Sequence, residues 1–216
     1  QVFLAKMHER KCRCIRMKKT SKQFWLFVVL GIAIYAVIQL LIMNGILDQF
    51  YSNTIIVISI NIILAVSLHL IIGITGQFSI GHAGFLAIGA YISAIVTMRL
   101  ELPFFLAIII GGIVAALAGL IVGIPSLRLK GDYLAIATLG FAEIIRIVFL
   151  NIDYVGGASG MQVDHMTTWT TAFICLAITI LVIVNFTNSR HGIASISVRE
   201  DEIAADAMGI NTTYYK

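Results

Sequence analysis

The fold is decided by Gly73-Ile-Thr-Gly-Gln-Phe-Ser-Ile-Gly-His-Ala-Gly-Phe-Leu-Ala-Ile-Gly-Ala-Tyr91, a stretch in which glycines and small polar residues interrupt almost wholly apolar sequence. At membrane depth, such backbone is tolerated where it is buried in protein or lines a water-filled cavity. Membrane transporters bind substrate at helices that are broken in this way. The alternative is a tight loop between two spans, in which the glycines simply make turns.

Both interpretations stay open, and the length of the next apolar run bears on the choice. The run 83–98 is short against the ~20 residues that a helix needs to cross a bilayer. We therefore expect part of the glycine stretch to help the chain across.

The composition is that of a membrane protein. Hydrophobic residues make up 59% of the 216 residues and charged residues 12%, with a mean hydropathy of +0.97. Soluble domains are nearer to about 45–50% apolar and ~25% charged. The net charge of +4 comes chiefly from the N-terminal tail, so it bears on topology and not on nucleic-acid binding. Cys12, Cys14 and Cys175 indicate neither a disulfide framework nor a metal site.

Six apolar runs predict an all-α polytopic membrane protein of about six transmembrane helices, since most of them approach or exceed the ~17 residues that can cross as helix. The runs are 24–47, 54–74, 83–98, 104–124, 133–150 and 169–187. We divide the chain into a basic cytoplasmic tail (1–23), a transmembrane domain (24–187) and a cytoplasmic segment (188–216). Within the tail, Met17-Lys-Lys-Thr-Ser-Lys is typical of a natural bacterial start, which would make 1–16 an upstream segment.

The positive-inside rule orients these runs with the N-terminus in the cytoplasm. This orientation puts three connections outside, at 48–53, 99–102 and 151–168. The glycine stretch, the connection 125–132 and everything after Asn188 then lie inside. The outer connection 151–168 carries no Lys or Arg, whereas 125–132 carries Arg128 and Lys130. Arg99 is the one exception to the pattern.

Two features lie within the apolar runs. The fourth run has a small residue at every fourth position, which is typical of a ridge for helix packing: Gly111, Ala115, Gly119 and Gly123. The fifth run contains Glu143 and Arg146, three apart on one helical face. Because charges in a membrane span are expensive and tend to pair, we interpret them as a structural intramembrane ion pair near the outer interface, with Arg146 snorkelling. A direct role in transport is the alternative.

After Asn188 the sequence predicts a short amphipathic cytoplasmic helix. Ser197 and Glu200 match a capping box, and the acids 200–202 would fall in the first turn, where the helix dipole favours them. The helix should run through Met208 and stop at Gly209. Its apolar face would consist of Ile203, Ala207 and Ile210. Such a helix either lies at the interface before a further span or docks to a cytoplasmic partner.

Several motifs together carry a resemblance to one family. Ala204-Ala205-x-x-x-Gly209 resembles the cytoplasmic coupling motif Glu-Ala-Ala-x-x-x-Gly of ABC-importer permeases, although Ile203 stands at the glutamate position and Glu202 one place earlier. The others are Thr75-Gly-Gln-Phe-Ser-Ile-Gly-His-Ala-Gly-Phe, Gly131-Asp-Tyr-Leu-Ala-Ile-Ala-Thr-Leu-Gly-Phe-Ala-Glu-Ile-Ile-Arg, Gly156-Gly-x-x-Gly160 and Arg199-Glu-Asp-Glu-Ile-Ala-Ala. Over residues 61–216 the chain resembles a branched-chain amino acid ABC transporter permease of the M-type subunit. Family members continue into further spans, so it resembles a C-terminally truncated one.

The resemblance implies a transport subunit and not an enzyme, moving leucine, isoleucine or valine across the bacterial cytoplasmic membrane. It implies four kinds of partner and no cofactor: a second permease subunit, two ATP-binding subunits, an extracytoplasmic substrate-binding protein and membrane lipid. ATP hydrolysis would lie on a partner, because the chain has no G-x-x-x-x-G-K-[ST] phosphate loop. We expect the substrate pathway at Thr75, Gly76, Gln77, Ser79, Gly81 and His82, and the ATPase coupling at Glu202, Ala204, Ala205 and Gly209.

Two other functions compete with this expectation. A urea or short-amide permease of the ABC class closely resembles this family. An ion- or proton-coupled secondary transporter would also use glycine-broken spans and intramembrane charges. The coupling motif argues against the secondary transporter, since such a protein has no ATPase to dock.

Overall fold

The structure, a computed structural model, describes residues 26, 28–45, 47–126, 132–163 and 166–215. Within these residues all regular secondary structure is helical. Five of the helical segments are long and apolar enough to cross a membrane: Gln49–Ile74, His82–Arg99, Phe104–Ser126, Tyr133–Asn151 and Trp169–Thr187. The chain is therefore a multi-pass membrane protein, and the predicted all-α polytopic fold is confirmed.

The first predicted span, 24–47, is represented by a shorter apolar helix, α1 (Val28–Met43). Its end is earlier than predicted because the backbone turns at Gly45, which has a φ of +67°. The Gly45 amide donates to the Ile42 carbonyl at 3.1 Å, a turn that a residue without a β-carbon adopts at little cost. The basic tail 1–23 lies outside the described residues.

The second span starts earlier than its sequence suggests. Helix α2 runs over Gln49–His69, so most of the predicted connection 48–53 is helical, and its location outside the membrane stays a prediction. Polar residues here do not break the helix, because the Thr54 hydroxyl donates to the Phe50 carbonyl at 2.9 Å within it. After His69 the helix continues as a wider, π-helical turn, Leu70–Ile74.

The described part of the chain then contains seven further helices: α3 (His82–Arg99), α4 (Phe104–Ser126), α5 (Asp132–Asn151), α6 (Trp169–Thr187), α7 (Arg190–Glu200), α8 (Glu202–Ala207) and α9 (Thr212–Tyr215). Two short 3₁₀ turns, Asp153–Val155 and Gly157–Ser159, lie between α5 and α6. By its contacts the chain forms two compact units, 1–57 and 58–216, and the division falls within α2. The packing and site features described below belong to the second unit.

Small residues bring α3 and α4 together. A β-carbon on Gly111 would lie 2.7 Å from the Gly89 carbonyl oxygen and 3.2 Å from the Ser93 β-carbon, so only glycine fits there. Ala115 and Gly119 also face α3, whereas a β-carbon on Gly123 would meet nothing within 4 Å. The small-residue ridge predicted on α4 is therefore confirmed for three of its four members.

Two contacts show which connections share an end of the second unit. The Arg99 guanidinium lies over the Tyr154 ring at 4.8 Å, which joins the connection after α3 to the one after α5. At the other end, the Arg199 guanidinium donates to the Gly73 carbonyl. This grouping agrees with the predicted alternation of the spans. That the end near Arg199 is the cytoplasmic one stays a prediction.

Candidate functional site

The seven residues between the π-helical turn and α3, 75–81, form an irregular segment that we call the glycine break. Gly76 has a φ of +71°, a conformation that costs glycine little. The Thr75 hydroxyl donates to the Ile71 carbonyl at 2.6 Å, and the Gln77 amide donates to the same carbonyl at 3.2 Å. The break thus has a defined backbone, and it follows a π-helical turn of the kind frequently found at functional sites.

The glycine break is held against α5. The Ile80 amide donates to the Thr138 hydroxyl oxygen at 3.1 Å, and that hydroxyl donates to the Ala135 carbonyl at 3.0 Å. A β-carbon on Gly81 would lie 2.8 Å from the Thr138 carbonyl oxygen, and one on Gly84 would lie 2.9 Å from the Ala142 α-carbon. Both glycines are therefore explained by close approach of backbone to backbone.

This contact fixes the level of the break along the helices. Thr138 lies six residues after Asp132, the first residue of α5, which is ~9 Å along an α-helix. The glycine break therefore lies alongside α5 and not beyond its end. We did not predict Thr138 as a site residue, although a lone hydroxyl in the apolar run 134–142 was an available signal.

His82, the first residue of α3, contacts α2. Its Nε2 lies 2.9 Å from the Ser67 hydroxyl oxygen, and that hydroxyl donates to the Leu64 carbonyl at 2.9 Å. The Ser67 hydroxyl therefore links the His82 ring to the backbone of α2. The sequence did not point to Ser67 either, because it lies fifteen residues away in an apolar run.

A cleft of about 370 Å³ lies between α2, the glycine break and the start of α3. Two of its lining residues, Ser79 and His82, carry polar side chains, and the rest are apolar: Leu64, Leu68, Ile72, Phe78, Ile80, Ala83 and Leu86. Ser79 and His82 are thus brought together, whereas the other predicted pathway residues are placed differently. The Thr75 hydroxyl bonds to backbone, Gly76 faces Arg199, and Gly81 packs on α5.

The predicted cytoplasmic helix is two helices. Helix α7 ends at Glu200, and Asp201 has an extended backbone with φ −155° and ψ 109°. The Asp201 carboxylate then accepts from the Ile203 and Ala204 amides, at 2.9 and 3.0 Å, as the N-cap of α8. The predicted Ser197–Glu200 capping box is therefore wrong, because Ser197 lies inside α7 and donates to the Ile193 carbonyl at 3.0 Å.

The predicted stop at Gly209 is confirmed. Gly209 has a φ of +82°, its amide donates to the Asp206 carbonyl at 2.9 Å, and the Ile210 amide donates to the Ala205 carbonyl at 3.1 Å. These two bonds form a Schellman motif, which satisfies carbonyls at the helix end and favours glycine at this position.

Helix α8 turns an apolar face outward. Ile203 is 84% exposed and Met208 83% exposed, and Ala204 and Ala207 are exposed beside them. Ala205 is buried on the opposite side. The exposed face differs from the predicted one, since Ile210 is half-buried and Met208 belongs to the face.

Glu143 and Arg146 form an ion pair on α5. Arg146 Nη2 lies 3.0 Å from Glu143 Oε1, and Arg146 Nε lies 3.1 Å from both carboxylate oxygens. Both side chains point away from the rest of the unit, with 65% of the arginine and 51% of the glutamate side chain exposed. The pair does not contact the glycine break.

Comparison with known proteins gives a consistent result. Residues 50–216 match the family model described as "branched-chain amino acid transport system / permease component". The chain is 33% identical to the high-affinity branched-chain amino acid transport system permease protein LivM of Salmonella typhimurium, over 61% of this chain and 40% of that protein. It is 34% identical to LivM of Escherichia coli, over 59% of this chain and 38% of that protein.

A more distant relative is a probable branched-chain amino acid transport permease protein LivM of Methanocaldococcus jannaschii, with 32% identity over 48% of this chain and 34% of that protein. The chain spans about two fifths of the length of the first two relatives. No solved structure matches the chain.

Proposed function

Because the chain belongs to the family of branched-chain amino acid transport system permease components, we propose that it is a membrane-spanning permease subunit of an ATP-driven importer. Its substrates are leucine, isoleucine and valine. It works with a second permease subunit, two ATP-binding subunits and an extracytoplasmic substrate-binding protein. The names of the relatives support the substrate class, since each describes branched-chain amino acid transport.

The observation that carries the ATP-driven part of the proposal is the exposed apolar face of α8. Ile203 and Met208 are each more than four fifths exposed, and exposed large apolar side chains on neighbouring turns favour a protein or membrane contact. Ala204 lies beside them, and its small side chain would let a groove on a partner protein approach α8 closely. We assign this face to the ATP-binding subunit, with Glu202, Ala205 and Gly209 shaping the helix that presents it.

The cleft beside the glycine break supports a path for a branched apolar side chain. Its walls are largely leucine and isoleucine side chains. The two polar side chains are those of Ser79, in the break, and His82, directly after it. Binding sites for small molecules typically combine an apolar lining with a few polar groups that fix orientation. In our proposal the substrate passes beside the glycine break. The backbone of the break is kept in place by Thr75, Gly76, Gln77 and Gly81.

The Glu143–Arg146 pair fits a role at a protein interface within the membrane. Both side chains are exposed on a membrane-spanning helix, and charges in such helices rarely face lipid. We propose that this face of α5 is covered by protein, with the second permease subunit as the first candidate.

Co-purification of the complete protein with its ATP-binding subunit, in mild detergent, tests the proposal. Ile203→Asp should release the ATPase, because it puts a charge at the centre of the contact. Ile193→Asp is the matched control, since Ile193 is also exposed, at 59%, but lies on α7. Absence of any ATPase from the wild-type preparation would refute the ATP-driven function. If Ile193→Asp also released the ATP-binding subunit, the docking surface would not be confined to α8.

A further inference from the structure

Arg199 connects two regions that are far apart in sequence. It lies in the last turn of α7, two residues before the Asp201 cap of α8. Its Nη1 donates to the Gly73 carbonyl, 126 residues away, and its Nε donates to Glu200 Oε1 at 3.1 Å. A third bond joins Nη2 to the same carboxylate oxygen.

The Gly73 carbonyl is a suitable acceptor for a cation. It belongs to the π-helical turn at the end of α2, where helix carbonyls carry partial negative charge and favour positive side chains. A guanidinium is planar and offers five donors in a fixed arrangement, so Arg199 can bond Gly73 and Glu200 at the same time. Glu200 thereby holds the guanidinium in place.

The stem of the same side chain covers Gly76. A β-carbon on Gly76 would overlap the Arg199 γ-carbon and lie 3.1 Å from its β- and δ-carbons. Arg199 is 38% exposed, so the side chain is not simply solvated at the surface. It contacts the chain at Gly73, before the glycine break, and at Gly76, within it.

We propose that Arg199 is a positioning residue that ties the C-terminal end of α7, from which α8 follows directly, to the glycine break, so that movement of α8 on its partner changes the conformation of the break. The consequence of this tie for transport rests on the proposed function. Coupling of this kind requires contacts that differ between two states of the protein. Here the contacts that change are those of Arg199 with Gly73 and Gly76.

Amide hydrogen exchange at the break tests the tie without any partner. In the complete protein in nanodiscs, the Thr75 and Gln77 amides are direct reporters, because they donate to the Leu70 and Ile71 carbonyls of the π-helical turn, each at 3.2 Å. Arg199→Gln should speed their exchange about tenfold, the order expected for loss of one charge-assisted hydrogen bond. Arg199→Lys keeps a donor and the stem, so it should restore most of the protection.

Gly76→Ala tests the same tie from the other side. Its methyl group would displace the arginine stem, so it should speed exchange at the break as Arg199→Gln does, and the double variant should add little. Gly45→Ala is the matched control, because Gly45 also has a positive φ, +67°, but a β-carbon there would meet nothing within 4 Å. Glu200→Gln provides a milder variant that leaves Arg199 present and should speed exchange about threefold, since it weakens one charge-assisted contact without removing it.

The proposal would be overturned if Arg199→Gln showed wild-type exchange rates at the break. If Arg199→Gln does not fold, wild-type rates in Glu200→Gln and Gly76→Ala would overturn it. So would equal acceleration of exchange at the break in Gly45→Ala, because that would indicate general loosening. In the assembled transporter, ATP with vanadate should change exchange at the break in wild type, and Arg199→Gln should abolish that change with the ATPase still bound. A change that persists in Arg199→Gln would overturn the proposal. If wild type binds no ATPase, the proposed function fails, and the amide exchange alone decides whether the tie exists.

Discussion

Gly81→Ala is the substitution whose effect follows most directly from the structure. The added methyl carbon would lie 2.8 Å from the Thr138 carbonyl oxygen, so the break and α5 must separate by at least ~0.6 Å to reach ordinary contact. Neither side can yield easily, since both are backbone. Overpacking of this kind costs about 1–3 kcal/mol.

The same separation breaks a hydrogen bond. The Ile80 amide and the Thr138 hydroxyl oxygen, which are 3.1 Å apart, would move to ~3.7 Å, a distance at which the hydrogen bond is lost. That loss adds about 1 kcal/mol. We therefore expect Gly81→Ala to lower the free energy of unfolding by about 2–4 kcal/mol. Backbone strain does not contribute, because the φ of Gly81 is −77°.

The assay is unfolding of the complete protein by SDS in mixed micelles, followed by circular dichroism. Gly140→Ala is the matched control, since it adds the same methyl group to α5 at a position with nothing within 4 Å. This control should change stability by less than ~1 kcal/mol, and in the stabilising direction, because alanine favours helix. Equal stability of the two alanine variants would refute the packing of the break on α5.

Three further predictions concern the coupling helix and the cleft. Asp201→Ala should destabilise α8 by about 1 kcal/mol, because it removes the acceptor for two amides; faster amide exchange confined to α8 would show this. Gly209→Val should fray the C-terminal end of the same helix and weaken ATPase binding, since a β-branched residue is strained at positive φ, and Gly45→Val is its control. Ser79→Ala should raise the KM for leucine uptake several-fold at unchanged protein level, because Ser79 lines the cleft, whereas wild-type kinetics would limit Ser79 to packing.

Much of the architecture could be predicted from the apolar runs. The interior of each run is long and apolar enough to require a helix, and four of the six runs match their helices closely. The boundaries near residues 48–54 could not be predicted. A hydroxyl side chain there can bond to a helix carbonyl, as Thr54 does, so polar sequence does not mark a loop.

The candidate site was only partly readable from the sequence. The glycine break could be located, because glycines and polar side chains clustered in a membrane-spanning sequence indicate backbone that is buried in protein or faces a cavity. Its contacts could not be predicted, because they come from residues such as Ser67, Thr138 and Arg199, which lie on other helices. Their positions follow from packing, and a single sequence does not contain that information.

The position of the helix cap shows how a local signal can mislead. Ser197 and Glu200 have the spacing of a capping box, but Asp201 provides a stronger carboxylate acceptor for the amides of α8. The chain therefore breaks four residues later than the capping-box pattern predicts. Ile203 in the short α8 that results and Met208 at its end are both exposed.

The central claim is tested most directly by leucine uptake into proteoliposomes that contain the complete protein, its partner permease and the ATP-binding subunits, with substrate-binding protein supplied. Our account predicts uptake that requires ATP on the side of the ATP-binding subunits, persists without an ion gradient and is lost in Ile203→Asp but not in Ile193→Asp. Uptake that proceeds without ATP and follows a proton or sodium gradient would contradict it.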